Sequence, residues 1–158
     1  MKMRFLSLFV LLFFLAVPGA NGKNIGSSVN RAKKNITKIT IINNQILIPV
    51  TLRHRGRSKR VYMVLDTGSS HTTIPYRYLK GMRANYGPKV VATVANGSKC
   101  YGRSVELDML RVSTEHEYNF TVSTYPQSGS QNRGLLGVDF LKKHPFKIDF
   151  ENKYIVWM

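Results

Sequence analysis

The chain has 158 residues, 24 Lys or Arg against 8 Asp or Glu, a formal net charge of +16 and one cysteine. A lone Cys100 rules out an intrachain disulfide framework, and His54, His71, His116 and His144 are scattered without ligand spacing, so neither a metal nor another cofactor is expected. The basic balance would draw an anionic partner, whether an acidic peptide, an anionic surface or polymer, or nucleic acid, with plain solubility of the protein as an equal alternative.

In chain order, Lys2 and Arg4 precede an apolar stretch from Phe5 to Val17 and the small-residue segment Pro18-Gly19-Ala20-Asn21-Gly22. That is the pattern of a secretory signal over residues 1–22, with cleavage expected after Gly22 and a secreted or periplasmic product. The apolar run is short for a membrane span of about 20 residues, which makes an uncleaved membrane anchor the second reading. Residues 23–35 read as a flexible basic tail, and residues 36–158 as one domain.

The domain is mostly strand-forming. Thr37 to Ile42 and Gln45 to Leu52 are β-branched runs joined by Asn43-Asn44, a hairpin signal because Asn tolerates positive φ. Arg53 to Arg60 reads as a solvated basic turn around Gly56. Val61 to Leu65 then forms a buried strand that ends in Asp66-Thr67-Gly68-Ser69-Ser70. Asp66 is the single acid between Lys23 and Arg103, a stretch with sixteen basic residues. A carboxylate in a glycine turn within so basic a segment is a candidate catalytic group, with an ordinary β-turn as the alternative.

Pro75 to Met82 reads as a short helix, since proline suits a first helical turn and Gly81 weakens its end. Lys89 to Val94 and Lys99 to Leu107 flank Ala95-Asn96-Gly97-Ser98, a strong hairpin signal. Gly134-Leu135-Leu136-Gly137-Val138-Asp139 follows about seventy residues after Asp66, and Phe146 to Trp157 alternates around a turn at Glu151-Asn152-Lys153.

Leu65-Asp66-Thr67-Gly68 followed at this distance by Leu135-Leu136-Gly137 and a short helix resembles the single-domain, retroviral-type (retropepsin-like) aspartic proteases and their bacterial relatives. The resemblance runs from about Ile39 to Trp157. It implies an all-β fold, a small closed barrel with a flap hairpin and one short C-terminal helix, forming a symmetric dimer. Under it Asp66 is catalytic, Thr67 bonds across the dyad, Gly68 permits close backbone approach, and Ser69 reaches a catalytic carboxylate. Ala95, Asn96 and Gly97 form the flap tip, with Tyr101 a candidate substrate contact, and Leu135, Leu136 and Gly137 pack beneath the active-site loop.

Aspartic protease chemistry needs two carboxylates that share one proton, and one Asp-Thr-Gly supplies half of that. The expected state is therefore an isologous homodimer acting on a peptide or protein substrate. Asp139 departs from the viral pattern, which often has Arg there, so an intersubunit ion pair of the viral type is not expected, and the basic residues of the N-terminal half are alternative partners for it. The rival reading is an exported basic module of the same fold that binds a peptide or polyanion without catalysis. Nucleic acid is an improbable partner, because the basic run Arg53 to Arg60 lacks an aromatic stacking platform and follows an export signal.

Overall fold

A computed structural model describes residues 35–93, 97–126 and 133–158. The elements are β1 (Ile36–Lys38), β2 (Thr40–Ile42), β3 (Gln45–His54), β4 (Arg57–Leu65), β5 (Thr73–Pro75), α1 (Tyr76–Leu79), β6 (Lys89–Thr93), β7 (Lys99–Val112), β8 (Glu115–Tyr125), β9 (Gly134–Leu136), α2 (Val138–Leu141), β10 (Phe146–Asp149) and β11 (Tyr154–Trp157). The signal and most of the basic tail lie outside the described residues, as do Ala95 and Asn96 of the expected flap tip.

The large sheet runs β2-β3-β4-β9-β5-β8-β7-β6, and β3 also pairs with β7, which closes β3-β4-β9-β5-β8-β7 into a barrel. Its interior is set by period-two patterning. Ile48, Val50 and Leu52 alternate inward on β3, Val61 and Met63 on β4, and Val105 and Leu107 on β7, all buried. Phe140 of α2 is fully buried and meets Phe120 of β8 edge to face at 6.1 Å. Burying a side chain of that size contributes about 1.5–3 kcal/mol, so α2 is fixed to the barrel rather than loosely appended.

Tight turns join the first strands. Asn43 and Asn44 have φ of 50° and 61° between β2 and β3, and Arg55 and Gly56 have 48° and 70° between β3 and β4, the positive-φ pairs of two-residue hairpin turns. The expected strand from Thr37 to Ile42 is divided. Ile39 is buried and its amide donates to Lys153 O at 3.0 Å, so Ile36–Lys38 leaves the hairpin to pair with β11 in a separate sheet ordered β1-β11-β10. Trp157 closes that sheet, with its indole Nε1 donating to Thr37 Oγ1 at 2.9 Å and its backbone N to Asn35 O at 2.9 Å.

Further differences from the sequence reading have local causes. Both expected helices are present, but the first, after Pro75, is four residues long instead of spanning 75–82. The basic segment turns around Gly56 as expected, but the exposed turn is confined to Arg55 and Gly56. Most of it is strand, and Arg57 Nη1 donates to Gly81 O at 2.5 Å while Lys59 Nζ donates to Arg77 O at 3.1 Å. These cations donate to carbonyls of α1 and of the turn that follows it, where a cation is favoured by the helix's C-terminal end.

Candidate active site

Strand β4 delivers Asp66 at its C-terminal end, and the chain leaves the loop through β5. Between these two strands lies β9. It runs parallel to β4, with Leu65 opposite Leu136, and antiparallel to β5, with Thr73 opposite Leu135. The segment Leu135-Leu136-Gly137 is thus wedged between the entry to the Asp66 loop and its exit, Leu136 fully buried and Leu135 half-buried.

Three hydrogen bonds fasten the loop to this wedge. Asp66 N donates to Leu136 O at 3.0 Å, Val138 N donates to Ser69 O at 2.8 Å, and Gly137 N donates to Thr72 Oγ1 at 3.1 Å. Gly137 has no alternative residue here, because a Cβ on it would lie 2.5 Å from His71 C and 2.7 Å from His71 O. Close packing of two backbones is what the glycine of the signature provides.

The carboxylate of Asp66 is half-buried, and its Oδ1 accepts from Gly68 N at 2.9 Å. One oxygen is therefore oriented by the loop's own backbone. Thr67 and Gly68 are exposed in the single chain. Ser69 does not reach the carboxylate: its hydroxyl donates to His71 O at 2.8 Å, so it braces the loop internally.

Among the described residues, Asp139 forms no ion pair with Lys or Arg. Its Oδ2 accepts from Thr72 N at 2.8 Å, and its Oδ1 accepts from Thr72 Oγ1 at 2.6 Å and from Phe140 N at 2.9 Å. The cationic candidate beside it is His71, whose exposed Nδ1 is 3.9 Å from Oδ2. A carboxylate in the first turn of a helix is electrostatically favoured, and here it also ties α2 to the loop. Thr72 is the residue that sequence reasoning missed. It is fully buried and carries both a donor and an acceptor function through one hydroxyl. A threonine six residues past an Asp-Thr-Gly has no sequence signal of its own.

A groove of about 1040 Å³ lies beside the loop, bounded by Ser69, Ser70 and His71 on one wall, Val91 on β6, and Tyr118 and Lys143 on the other. Asp66 does not line it, whereas Gly68 does. Its roof is the hairpin of β6 and β7, paired from Lys89 with Arg103 to Thr93 with Lys99, and Gly97 near its tip has φ of 81°. Tyr101 is exposed opposite Val91 and does not line the groove.

Residues 48–140 match the family model described as aspartyl protease. A search of curated proteins returns no match. Among solved structures, the chain is similar to a retropepsin-like aspartic protease from Rickettsia conorii, at 12% identity and a TM-score of 0.51, covering 77% of this chain and 87% of that one. It is also similar to the EIAV protease in complex with the inhibitor HBY-793, at 13% identity and a TM-score of 0.50, covering 65% of this chain and 89% of that one. At these identities the structures speak to the fold, which is retropepsin-like. The family match spans the Asp66 loop, the wedge of β9 and the start of α2, and on it this chain belongs to the aspartyl protease family.

Proposed function

We propose that the chain is an aspartic endopeptidase in which Asp66 of two identical copies forms the catalytic dyad. Two like charges at hydrogen-bonding distance cannot both ionise, so one carboxylate is left to activate water while the other, protonated, polarises the scissile carbonyl. The supporting observation is that the Asp66 loop is a rigid but incomplete half-site. Asp66 is held by β4, β9 and the Gly68 amide, while Asp139, the acid of the signature segment, has both oxygens engaged by Thr72 and Phe140. A second carboxylate is then best supplied by the same loop of a partner across a two-fold axis.

In this reading Thr67, exposed in one chain, faces the partner loop, and the β6–β7 hairpin with Ala95, Asn96 and Gly97 at its tip closes over an extended peptide. The N-terminal pattern of residues 1–22 supports export. Cleavage of an unstructured protein, followed from acidic to neutral pH, tests the proposal. Activity that peaks in acid and disappears in Asp66→Asn, with the dimer retained by sedimentation, is the expected outcome. A protein that is monomeric at assay concentration, or an Asp66→Asn variant that still cleaves, defeats the shared dyad. A stable dimer that binds peptide and never cleaves it supports the non-catalytic binding module instead.

A further inference from the structure

A second groove, of about 820 Å³, shares no residue with the one beside the Asp66 loop. Its charged residues are Lys38, Arg60 and Arg111, and neither Asp nor Glu lines it. Strand register places two of these cations in a row. Thr51 of β3 is directly opposite Arg60 of β4 on one side and directly opposite Arg111 of β7 on the other. Directly opposed residues share a face of the sheet, so both guanidinium groups rise from the same surface with Thr51 between them. Their Cα atoms are separated by two strand spacings, roughly 10 Å. Lys38 comes from the smaller sheet and forms part of another wall, and Thr40 and Ser58 add hydroxyl groups.

Lys38, Arg60 and Arg111 are all exposed, and none is in an ion pair among the described residues. Of the four acids on the adjoining β7–β8 ribbon, Glu106 is exposed and does not line the groove, and the other three are engaged elsewhere. Asp108 accepts from Arg55 N at 2.7 Å, Glu115 meets His144 at 2.9 Å, and Glu117 meets Lys143 at 2.6 Å. Three unpaired cations with long, mobile side chains therefore surround one concavity, and hydroxyl donors line it between them. Arginine forks match the geometry of phosphate and sulfate oxygens. The groove is far larger than a single such ion, since even a water in the liquid occupies about 30 Å³, and falls in the range of sites for organic ligands.

We infer that this groove binds a ligand carrying two or more neighbouring phosphate or sulfate groups, one oxyanion held by Arg60 and the next by Arg111, with Lys38 closing the site. The site stands apart from the proposed catalysis and does not depend on it. It gives part of the chain's strong positive charge a specific place to act.

Calorimetric titration of the purified protein with sodium tripolyphosphate, at fixed ionic strength, tests this site. Saturable binding is expected, with inorganic phosphate weaker. Arg60→Gln/Arg111→Gln is expected to weaken tripolyphosphate binding at least about tenfold, the scale of losing one charge-assisted hydrogen bond. Arg83→Gln/Lys147→Gln removes the same charge from exposed positions outside the groove and is expected to change binding less than about twofold. A long-chain polyphosphate arm separates two sources of the ligand: tighter binding per site identifies a polymer, equal binding a free oligoanion, and the site stands in both cases. Equal weakening by the two double variants, or no saturable binding, overturns the inference and leaves only a diffuse positive field. Unchanged thermal unfolding of each variant verifies that a loss of binding is not a loss of fold.

Discussion

Thr72 and Asp139 are joined twice, by the Thr72 amide to Oδ2 at 2.8 Å and by the Thr72 hydroxyl to Oδ1 at 2.6 Å, across 67 positions of sequence. The same hydroxyl accepts from Gly137 N, so a single side chain links the exit of the Asp66 loop, the signature glycine and the first turn of α2. Thr72 is fully buried, so its hydroxyl has no solvent substitute and the network resists distortion there.

Replacing Thr72 with Val keeps its volume and removes the hydroxyl. Gly137 N then loses its acceptor and Asp139 Oδ1 one of its donors. Asp139 Oδ1 keeps the Phe140 amide as a donor, so the buried group left unsatisfied is Gly137 N; that costs about 1–3 kcal/mol, and a loss of that size in urea denaturation is expected for Thr72→Val. Thr72→Ser retains the hydroxyl and is expected to recover most of that loss. A Thr72→Val protein as stable as wild type would show that water or a rearranged loop replaces the hydroxyl.

Gly137→Ala tests the wedge from the other side. The added Cβ would meet backbone atoms of His71 and Thr72 at 2.5–2.8 Å, and backbone cannot rotate away as a long side chain can. Overpacking in a fixed core costs typically about 1–3 kcal/mol, occasionally more, and here the strain falls on the loop that carries Asp66. Under the proposed function, peptidase activity is therefore expected to be lost even where the fold is retained. Activity and urea midpoint that both match wild type would mean that β9 shifts without moving the loop.

How much of this was legible in the sequence depends on how local each signal is. The Asp66 turn, the Asn43-Asn44 hairpin and the Leu135-Leu136-Gly137 segment are carried by adjacent residues, and each is in the place that its residues indicate. The division of the first strand at Ile39 was not legible, because it depends on β11, more than a hundred positions away. Strand β7 also runs to Val112, past the expected end at Leu107. Its inward positions change phase, from Val105 and Leu107 to Leu110 and Val112, at Asp108 and Met109. A period-two reading breaks at that shift. The roles of Thr72 and Asp139 were hidden for the same reason as Ile39: each is defined by its partner across the fold.

Trp157 gives a test of the sheet formed by the two ends of the domain. Its side chain is 2% exposed, packs against Phe146 at 5.7 Å between ring centroids, and donates to Thr37 Oγ1, itself buried. Trp157→Phe keeps an aromatic ring but loses that donor and part of the packed volume. A loss of about 1–3 kcal/mol is expected, with hydrogen exchange accelerated at Lys38 and Ile155 before the barrel strands. Exchange that rises uniformly across the barrel instead would show that β1, β10 and β11 are not a separable unit.

The last prediction concerns acid, the condition under which a carboxylate dyad is assayed. Glu117 accepts from Lys143 Nζ at 2.6 Å, and its second oxygen is 3.0 Å from His144 Nε2. The hydrogen bond from Lys143 is the main cause that holds the Glu117 carboxyl below its ordinary value of 4.5; burial opposes it, and the Lys143 charge and His144 add to it. A carboxyl whose value is lowered on folding binds fewer protons in the native state than in the unfolded one. Its contribution to stability is therefore complete above pH 4.5 and lost as pH falls through the lower native value. Glu117 is well placed for this to matter, because Lys143 and His144 directly follow α2, and His144 stacks on Phe140 at 4.4 Å. Glu117→Gln cannot titrate. The variant is expected to be less stable than wild type at neutral pH, with a gap that narrows once the medium is more acidic than pH 4.5, read from urea midpoints at a series of pH values. A gap that stays constant or widens in acid would show that the Lys143–Glu117 contact does not hold in solution.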